Sequence, residues 1–380
     1  MRRAAALRET FGSVGIDSLL LTHLPNIRYL TGFDGSTGAL LLTADTCALL
    51  VDGRYLTSAR ERIRDTEGLQ HVTVELVSRS QDEAVAATGA RLAVRRLGVE
   101  AGVMTIAQFT RLKTMTGVEL IATERVVESH RLVKDAAELA TFRKAGRMLS
   151  AAALDALAAV QPGRTEQEVA VEVEAALRRA GFAKPAFETI VASGPNSALP
   201  HARPGGRILA PGDPVVLDFG GVYDGYCVDL TRTVQLQPAD DSFRRIFDAV
   251  AEAHAAAISA VRPGVMASAI DSAARDVLVE RGFGEAFVHG TGHGLGLEIH
   301  EEPRVTRAGT ARDEALRPGM VFTIEPGAYV PGAGGVRIED DVLVTEQGCE
   351  VLTSVPIDGA GYGAAARDMP GSRSHGPAGE

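Results

Sequence analysis

Long hydrophobic runs, a disulfide framework and an excess of positive charge are all missing from this 380-residue sequence. Its longest apolar stretches are interrupted and shorter than the roughly 18–20 residues that span a membrane, so we expect no membrane partner. Three scattered cysteines (Cys47, Cys227 and Cys349) do not form a disulfide framework. A net charge of −10 argues against nucleic acid as the main partner. No signal peptide is recognised at the start, and a cytoplasmic protein is expected.

The length is sufficient for two domains. Residues 1–125 alternate short apolar runs with amphipathic helical segments, which predicts a small α/β domain. A long helical pattern follows, and Asp135 with Glu138 predicts a capping box at its start. We place the second domain at residues 126–358. Residues 359–380 are rich in Gly, Ala and Ser and are expected to be disordered.

The second domain repeats part of its own sequence. VQPGRTEQEVAVEVEAALRRAGF, from Val160, aligns without gaps with VRPGVMASAIDSAARDVLVERGFG, from Val261. Further along, LAPGDPVVLDFG aligns with LRPGMVFTIEPG. Each half is therefore predicted to be a helix pair followed by strands, and we expect the halves to pack about a pseudo-twofold axis.

Each half carries two acidic residues in strand-like surroundings. The alignment places Asp218 over Glu325 and Asp229 near Glu339, and the spacings fit two hairpins. A single acid at a strand end is most often a cap or a surface residue. Ionised carboxylates are seldom buried unless they are paired or bind metal, and two divalent cations would neutralise four of them. Their symmetric placement therefore favours metal binding.

The segment HGTGHGLGLEIHEE, residues 289–302, combines three histidines with alternating glycines. Glycines let a backbone approach a crowded centre closely and disfavour a helix. The order of residues matches neither a dinucleotide-binding glycine loop nor an H-E-x-x-H zinc helix. A lone histidine is more often structural than functional, but His289, His293 and His300 accompany four clustered acids and become candidate site residues.

Together these segments resemble the pita-bread metallopeptidases of the Xaa-Pro aminopeptidase and prolidase group, relatives of methionine aminopeptidase and creatinase. The resemblance rests on LPNIRYLTGFDGSTGALLL, DGRY, FETIVASGPNSALPHARP, VVLDFGGVYDGYCVDLTRT, HGTGHGLGLEIHEEPRV and FTIEPGAYVPGAGGVRIEDDVLVT. It implies an α/β (α+β) fold, in which a creatinase-like N-terminal α/β domain precedes a pseudo-twofold duplicated pita-bread catalytic domain. It also implies a homodimer.

The resemblance implies two divalent metal ions with five ligands: Asp218, Asp229, His293, Glu325 and Glu339. Asp229 and Glu339 would bridge the ions, and Glu325 would also shuttle a proton. Mn²⁺ is the expected metal, with Co²⁺, Zn²⁺ and Fe²⁺ as alternatives. The residues that the resemblance places around the substrate and behind the ligands are His201, His289, His300, Arg337, Tyr329 and Thr231. Of these, the histidines and Arg337 are expected to be catalytic.

The expected reaction is removal of the residue before a penultimate proline, as in an Xaa-Pro aminopeptidase acting on proline-containing peptides. An Xaa-Pro bond is a tertiary amide without an N–H group, so an apolar pocket can select it. The alternative is an Xaa-Pro dipeptidase, or prolidase. A pita-bread protein without peptidase activity is a further alternative, which the complete ligand set disfavours, and a non-peptide C–N substrate is another.

Overall fold

The computed structural model describes residues 2–238 and 240–357, so the predicted disordered segment 359–380 lies outside them. The chain divides into two units, one that ends at Arg131 and one that begins at Leu132. Within the described ranges, no helix combines the length and the apolar character needed to cross a membrane.

The first unit is a six-stranded sheet flanked by helices. Its strand order is β4-β3-β2-β1-β5-β6; β2 pairs antiparallel with β1 and β3, and the other pairs are parallel. The helices are α1 (Arg2–Glu9), α2 (Phe11–Val14), α3 (Leu24–Thr31), α4 (Leu56–Asp65), α5 (Gln81–Arg91), α6 (Ile106–Thr116) and α7 (Glu128–Arg131). The strands are β1 (Ser18–Leu21), β2 (Ala39–Thr43), β3 (Cys47–Val51), β4 (Val72–Leu76), β5 (Arg96–Glu100) and β6 (Glu119–Thr123). The apolar strands β1 and β3 are buried along their whole length, because helices cover both faces of a largely parallel sheet.

The second unit contains four long helices and two main sheets. The helices are α8 (Ala136–Ala158), α9 (Glu166–Ala180), α10 (Asp241–Ala260) and α11 (Ala267–Glu280). The strands are β7 (Lys184–Pro185), β8 (Ile190–Ser193), β9 (Pro214–Tyr223), β10 (Tyr226–Gln235), β11 (Gly292–Gly294), β12 (Glu301–Val305), β13 (Val321–Ile324), β14 (Gly327–Val330), β15 (Gly334–Arg337), β16 (Asp340–Val344) and β17 (Cys349–Val351). One sheet joins β7, β8, β9 and β10, the other has the order β12-β11-β13-β16-β17, and β14 pairs with β15.

The predicted capping box at the start of α8 is confirmed. The Asp135 side chain accepts hydrogen bonds from the backbone N–H groups of Ala137 and Glu138, at 3.0 Å each. The Glu138 side chain accepts in turn from the Asp135 backbone N–H at 2.9 Å. Because the first N–H groups of a helix have no partner within it, this reciprocal pair fixes where α8 begins.

The predicted repeat is visible in the backbone hydrogen bonds. Gly163, between α8 and α9, donates its N–H to the Leu209 carbonyl at 2.9 Å, and Gly264, between α10 and α11, donates to the Leu316 carbonyl at 2.8 Å. Both glycines have positive φ values, 89° and 83°. Such values suit glycine, which lacks a Cβ. The two helix pairs are therefore anchored to their sheets by the same local structure.

Both hairpins predicted from the spacing of the acids are present in the second unit. Strands β9 and β10 form a hairpin through Asp224 and Gly225, whose φ values of 47° and 83° fit a type I′ turn. In the second half, β13 and β14 pair with β16 and β15 as one hairpin, whose register continues unshifted from Ile324 opposite Asp340 to Gly327 opposite Arg337. This register places Glu325 opposite Glu339, so the predicted second hairpin is confirmed.

Two helix glycines provide a test of packing in the structure. A Cβ on Gly146, in α8, would overlap the backbone carbonyl oxygen of Leu352. A Cβ on Gly89, in α5, would meet Val94 at an ordinary 3.9 Å. Gly146→Ala should therefore lower the free energy of unfolding by about 1–3 kcal/mol, whereas Gly89→Ala should leave it unchanged or raise it by up to about 1 kcal/mol. Urea-unfolding midpoints of the two variants check this, and equal shifts would contradict the packing described.

Candidate metal centre

A cavity of about 700 Å³ opens in the second unit and is lined by both halves of the repeat. Nine of the eleven predicted site residues line it: His201, Asp218, Asp229, His289, His293, His300, Glu325, Arg337 and Glu339. Tyr329 and Thr231 lie behind its wall, where they hydrogen bond to lining residues. The structure thus brings together residues that are up to 138 positions apart in the sequence, from His201 to Glu339.

Three predicted ligands form the buried core of this site. Asp229, His293 and Glu339 are 4%, 7% and 2% exposed, and each offers a donor atom within 4.8 Å of the others. His293 Nε2 lies 3.9 Å from Asp229 Oδ2 and 3.6 Å from Glu325 Oε1. In the β9–β10 hairpin, Asp218 lies opposite Thr231, two residues beyond Asp229 on the same face of the sheet. The four acids and the imidazole therefore face one small volume.

Glycines allow the strand that carries His293 to fit between its neighbours. A Cβ on Gly292 would overlap the carbonyl oxygen of Thr323, and a Cβ on Gly294 would overlap that of Glu302. The close backbone approach predicted from the alternating glycines is therefore confirmed. His293 Nδ1 lies 3.1 Å from the Gly294 carbonyl, a contact that fits a protonated Nδ1 and leaves the Nε2 lone pair facing the carboxylates.

Burial and mutual repulsion disfavour the negative charge of the acids. Burial raises the pKa of Asp229 well above its usual range, and the charges of Glu339 and Asp218 raise it further. Burial likewise raises the pKa of Glu339 well above normal, with Glu325 and Asp218 adding to the effect, and raises the pKa of Glu325 to about 7. Burial lowers the pKa of His293 to about 3, so its imidazole is neutral. These groups need added positive charge if all the acids are to be ionised.

Arg337 supplies the nearest positive charge and links the ligands to the cavity wall. Its NH2 donates to Asp218 Oδ2 at 2.5 Å, and its NH1 donates to the Tyr329 hydroxyl at 2.6 Å. Its Nε lies 3.3 Å from Thr231 Oγ1, which donates to Glu339 Oε2 at 2.5 Å. One guanidinium cannot balance four carboxylates. Its geometry therefore orients two of the acids but leaves most of their charge uncompensated.

The three pocket histidines occupy different surroundings. His289 Nε2 lies 2.9 Å from the Tyr329 hydroxyl, and burial followed by the charge of Arg337 lowers the His289 pKa to about 4. His300 packs edge-on against His293 with ring centroids 4.3 Å apart, and burial lowers its pKa. His201 is exposed at the cavity wall, next to Pro200, whose carbonyl accepts from Arg337 NH1 at 3.2 Å. A neutral imidazole can donate or accept a proton at a bound polar group.

Sequence reasoning missed several residues that contact the site. The Thr323 hydroxyl accepts from the His293 backbone N–H at 3.1 Å, and Asp341 Oδ2 accepts from the Asp229 backbone N–H at 3.0 Å. Arg304 lines the cavity. Thr323 precedes Glu325 by two residues and Asp341 follows Glu339 by two, a spacing that in a strand places side chains on one face. This two-residue spacing could have indicated Thr323 and Asp341, but no local sequence pattern distinguishes Arg304.

The donor set fits divalent cations. Four carboxylates and one imidazole converge on one cavity. Burial, followed by the charges of neighbouring acids, raises the pKa values of Asp229 and Glu339, and bound cations would offset this cost of ionisation. Such a site suits metal-assisted hydrolysis of a bound peptide.

Comparison with known proteins agrees with this chemistry. Residues 140–346 match the model of metallopeptidase family M24, and residues 3–133 match that of the creatinase/prolidase N-terminal domain. The Xaa-Pro dipeptidase of Pyrococcus horikoshii is 35% identical over 89% of this chain and 93% of its own. Among solved structures, the Xaa-Pro dipeptidase of Bacillus anthracis is 36% identical with a TM-score of 0.90, covering 94% of this chain and 98% of its own.

An X-Pro aminopeptidase from Thermotoga maritima is also similar. It is 34% identical with a TM-score of 0.82, and the match covers 92% of this chain and 99% of the other. The creatinase-like N-terminal domain and the pita-bread catalytic domain expected from the sequence are confirmed by these matches. The chain belongs to metallopeptidase family M24, a family of hydrolases that use divalent metal ions.

Proposed function

We propose that this protein is an Xaa-Pro dipeptidase, which hydrolyses the bond before the C-terminal proline of a dipeptide. Two of the three relatives described above are Xaa-Pro dipeptidases and one is an X-Pro aminopeptidase. The comparisons thus favour the dipeptidase over the aminopeptidase first expected from the sequence. The homodimer and the cytoplasmic location remain predictions.

Five residues would hold two metal ions: Asp218, Asp229, His293, Glu325 and Glu339. When bound, divalent cations would neutralise these acids and lower the pKa of water, so that water can act as a nucleophile near neutral pH. The donor set is rich in carboxylates with one imidazole, which suits Mn²⁺. Thr231 and Arg337 would fix the orientation of Glu339 and Asp218 through the hydrogen bonds described above.

Residues in the cavity wall would bind the peptide and move its protons. Glu325 would take a proton from the attacking water at its carboxylate, which faces the cavity. His201, His289 and His300 would contact the substrate from the cavity wall. Phe187 and Ile190 line the same cavity and offer apolar surface for the proline ring.

The dipeptidase assignment depends on Arg304, whose side chain lies in the cavity wall. Three arginines line the cavity: Arg203 pairs with Glu188 at 3.4 Å and Arg337 with Asp218 at 2.5 Å. The Arg304 guanidinium forms no ion pair within the part of the chain that the structure describes. Its charge is felt inside the cavity, where it is the largest cause after burial of the lowered His300 pKa. An unpaired guanidinium there suits the C-terminal carboxylate of a dipeptide.

The function is tested by comparing Ala-Pro, Ala-Pro-Ala and Ala-Pro amide as substrates. The chelator-treated protein should hydrolyse none of them. With Mn²⁺ restored, it should cleave Ala-Pro with the highest kcat/KM and should discriminate against the amide, which lacks the carboxylate. Release of free alanine measures all three reactions. Equal or faster cleavage of the tripeptide would favour the aminopeptidase instead.

Arg304→Gln isolates the contribution of the carboxylate contact. Loss of a hydrogen bond to a charged group costs about 1.5–3 kcal/mol, so kcat/KM for Ala-Pro should fall by about 10- to 150-fold. Cleavage of Ala-Pro amide should change little, because it has no carboxylate. Arg312→Gln, which removes an exposed guanidinium paired with the mostly buried Glu314, is the matched control. A similar loss for both substrates would contradict the proposed role of Arg304.

Asp229→Asn should affect the metal-free and the metal-bound protein in opposite ways. A raised folded-state pKa means that the fold loses stability as pH rises and Asp229 must ionise. At pH 7 the metal-free variant should therefore unfold at a higher temperature than the metal-free wild type. Metal at 100 times its Kd should stabilise the wild type by about 2.7 kcal/mol, and the variant should lose most of this gain.

Thermal unfolding with and without Mn²⁺ measures both effects. Asp276→Asn, on the exposed face of α11, removes a carboxylate remote from the cavity and is the control. It should match the wild type in both states. A variant at position 229 that keeps the full gain on adding metal would rule out Asp229 as a ligand.

A further inference from the structure

The loops that carry His201 and His289 each accept support from a buried carboxylate, which hydrogen bonds to the loop backbone. In the first half the carboxylate belongs to Glu166, the first residue of α9, and in the second half to Asp271, in α11. Each residue is 1% exposed. The residues that line the cavity include neither of them within the described chain, so these acids are not part of the site described above.

Asp271 and Arg275 hold the backbone on both sides of His289. Within α11 they form a bidentate ion pair with two N–O distances of 2.9 Å. Arg275 also donates to the carbonyl oxygens of Phe287 at 3.1 Å and His289 at 2.9 Å. Asp271 Oδ1 accepts from the backbone N–H and the hydroxyl of Thr291, at 3.1 and 2.9 Å. A five-residue segment is thus fixed at its beginning, middle and end.

The same segment is connected to Glu325. The carbonyl of Thr291 accepts from the Glu325 backbone N–H at 2.7 Å. The Arg275 guanidinium also stacks on the Phe287 ring, 4.1 Å from its centroid, and Phe287 packs edge-on against His289 at 5.1 Å. Asp271 and Arg275 therefore contact the His289 segment directly and, through Thr291, are connected to the backbone of Glu325.

The first half uses an equivalent arrangement. Glu166 Oε1 accepts from the Ser193 N–H at 2.8 Å and from Asn196 Nδ2 at 2.9 Å, while Oε2 accepts from the Gly205 N–H at 3.2 Å. His201 lies between Asn196 and Gly205. In the 101-residue alignment Glu166 falls over residue 267, so the acid of the second half lies about one helical turn later. The same type of contact is built from two different helix positions.

We propose that the Asp271–Arg275 pair positions His289 for hydrolysis and acts on the rate of the reaction rather than on substrate binding. The inference rests on the proposed function, in which His289 contacts the substrate in the cavity. A rigid helix holds three backbone groups of the loop, which keeps the imidazole Nε2 at the Tyr329 hydroxyl. Misplacement of a catalytic group by about 1 Å can cost about 100-fold in rate.

Arg275→Gln and Arg275→Lys test the proposal through kinetics. Both remove the forked contacts to the two carbonyls, and Lys retains the charge that Asp271 needs. We expect kcat for Ala-Pro to fall by about 10- to 100-fold with KM within about threefold. In a His289→Ala background the same substitutions should cost little more, because Arg275 acts through that histidine. An equal loss in both backgrounds, or no loss in either, would overturn the proposal.

A second measurement follows the position of the His289 imidazole and does not depend on catalysis. The side-chain ¹⁵N signals of His289 in ¹⁵N-histidine-labelled protein, assigned with His289→Ala, should shift in Arg275→Lys if the imidazole moves. Unchanged signals would overturn the proposal. Arg281→Gln, at the end of the same helix, breaks an exposed ion pair with Glu252 and should leave kcat and the signals unchanged. If the wild type cleaves no Xaa-Pro peptide, the proposed function fails, while these signals still test the positioning.

Discussion

Repulsion among buried carboxylates is the constraint on which the arrangement of the catalytic unit depends. Asp229 and Glu339 are almost fully buried, and Asp218 and Glu325 face the same cavity. A cluster of this kind is destabilising unless cations or donors compensate it. Arg337 provides one positive charge, and the remainder is left for metal ions. The acids therefore lower the stability of the metal-free fold, a cost that bound divalent cations would offset.

Because the catalytic unit is duplicated, each of its halves supplies a corresponding part of this site. Each half contributes a helix pair, a sheet with two acids and a loop with a pocket histidine. Buried groups that lie outside the cavity, such as Thr323 and Asp341, then accept hydrogen bonds from the backbone of the ligands. Rigid supports of this kind keep side chains in place without relying on the metal. The inferred role of Asp271 and Arg275 extends the same principle to a loop.

In the proposed function, the choice between a dipeptide and a longer peptide depends on a different part of the cavity. Hydrolysis would need the metal ligands and Glu325 as proton carrier. An aminopeptidase and a dipeptidase would use the same set. Length selection needs a group at the far end of the substrate, and Arg304 is a charged side chain in the cavity wall that is available for this purpose. A single cation can favour a substrate with a nearby carboxylate over an amide because the pairing is lost when the charge is absent.

Local patterns in the sequence predicted an α/β domain, the repeat, the capping box at Asp135 and the cluster of four acids. They could do so because strand and helix periods are local and because ionised carboxylates are seldom buried without compensation. The pita-bread fold and the remaining site residues came from the resemblance to a known family. The surroundings of His293 and the contacts of Arg275 and Arg304 were selected by the tertiary structure. Long side chains can take many positions that satisfy the same local pattern. Only packing against distant residues selects one of them.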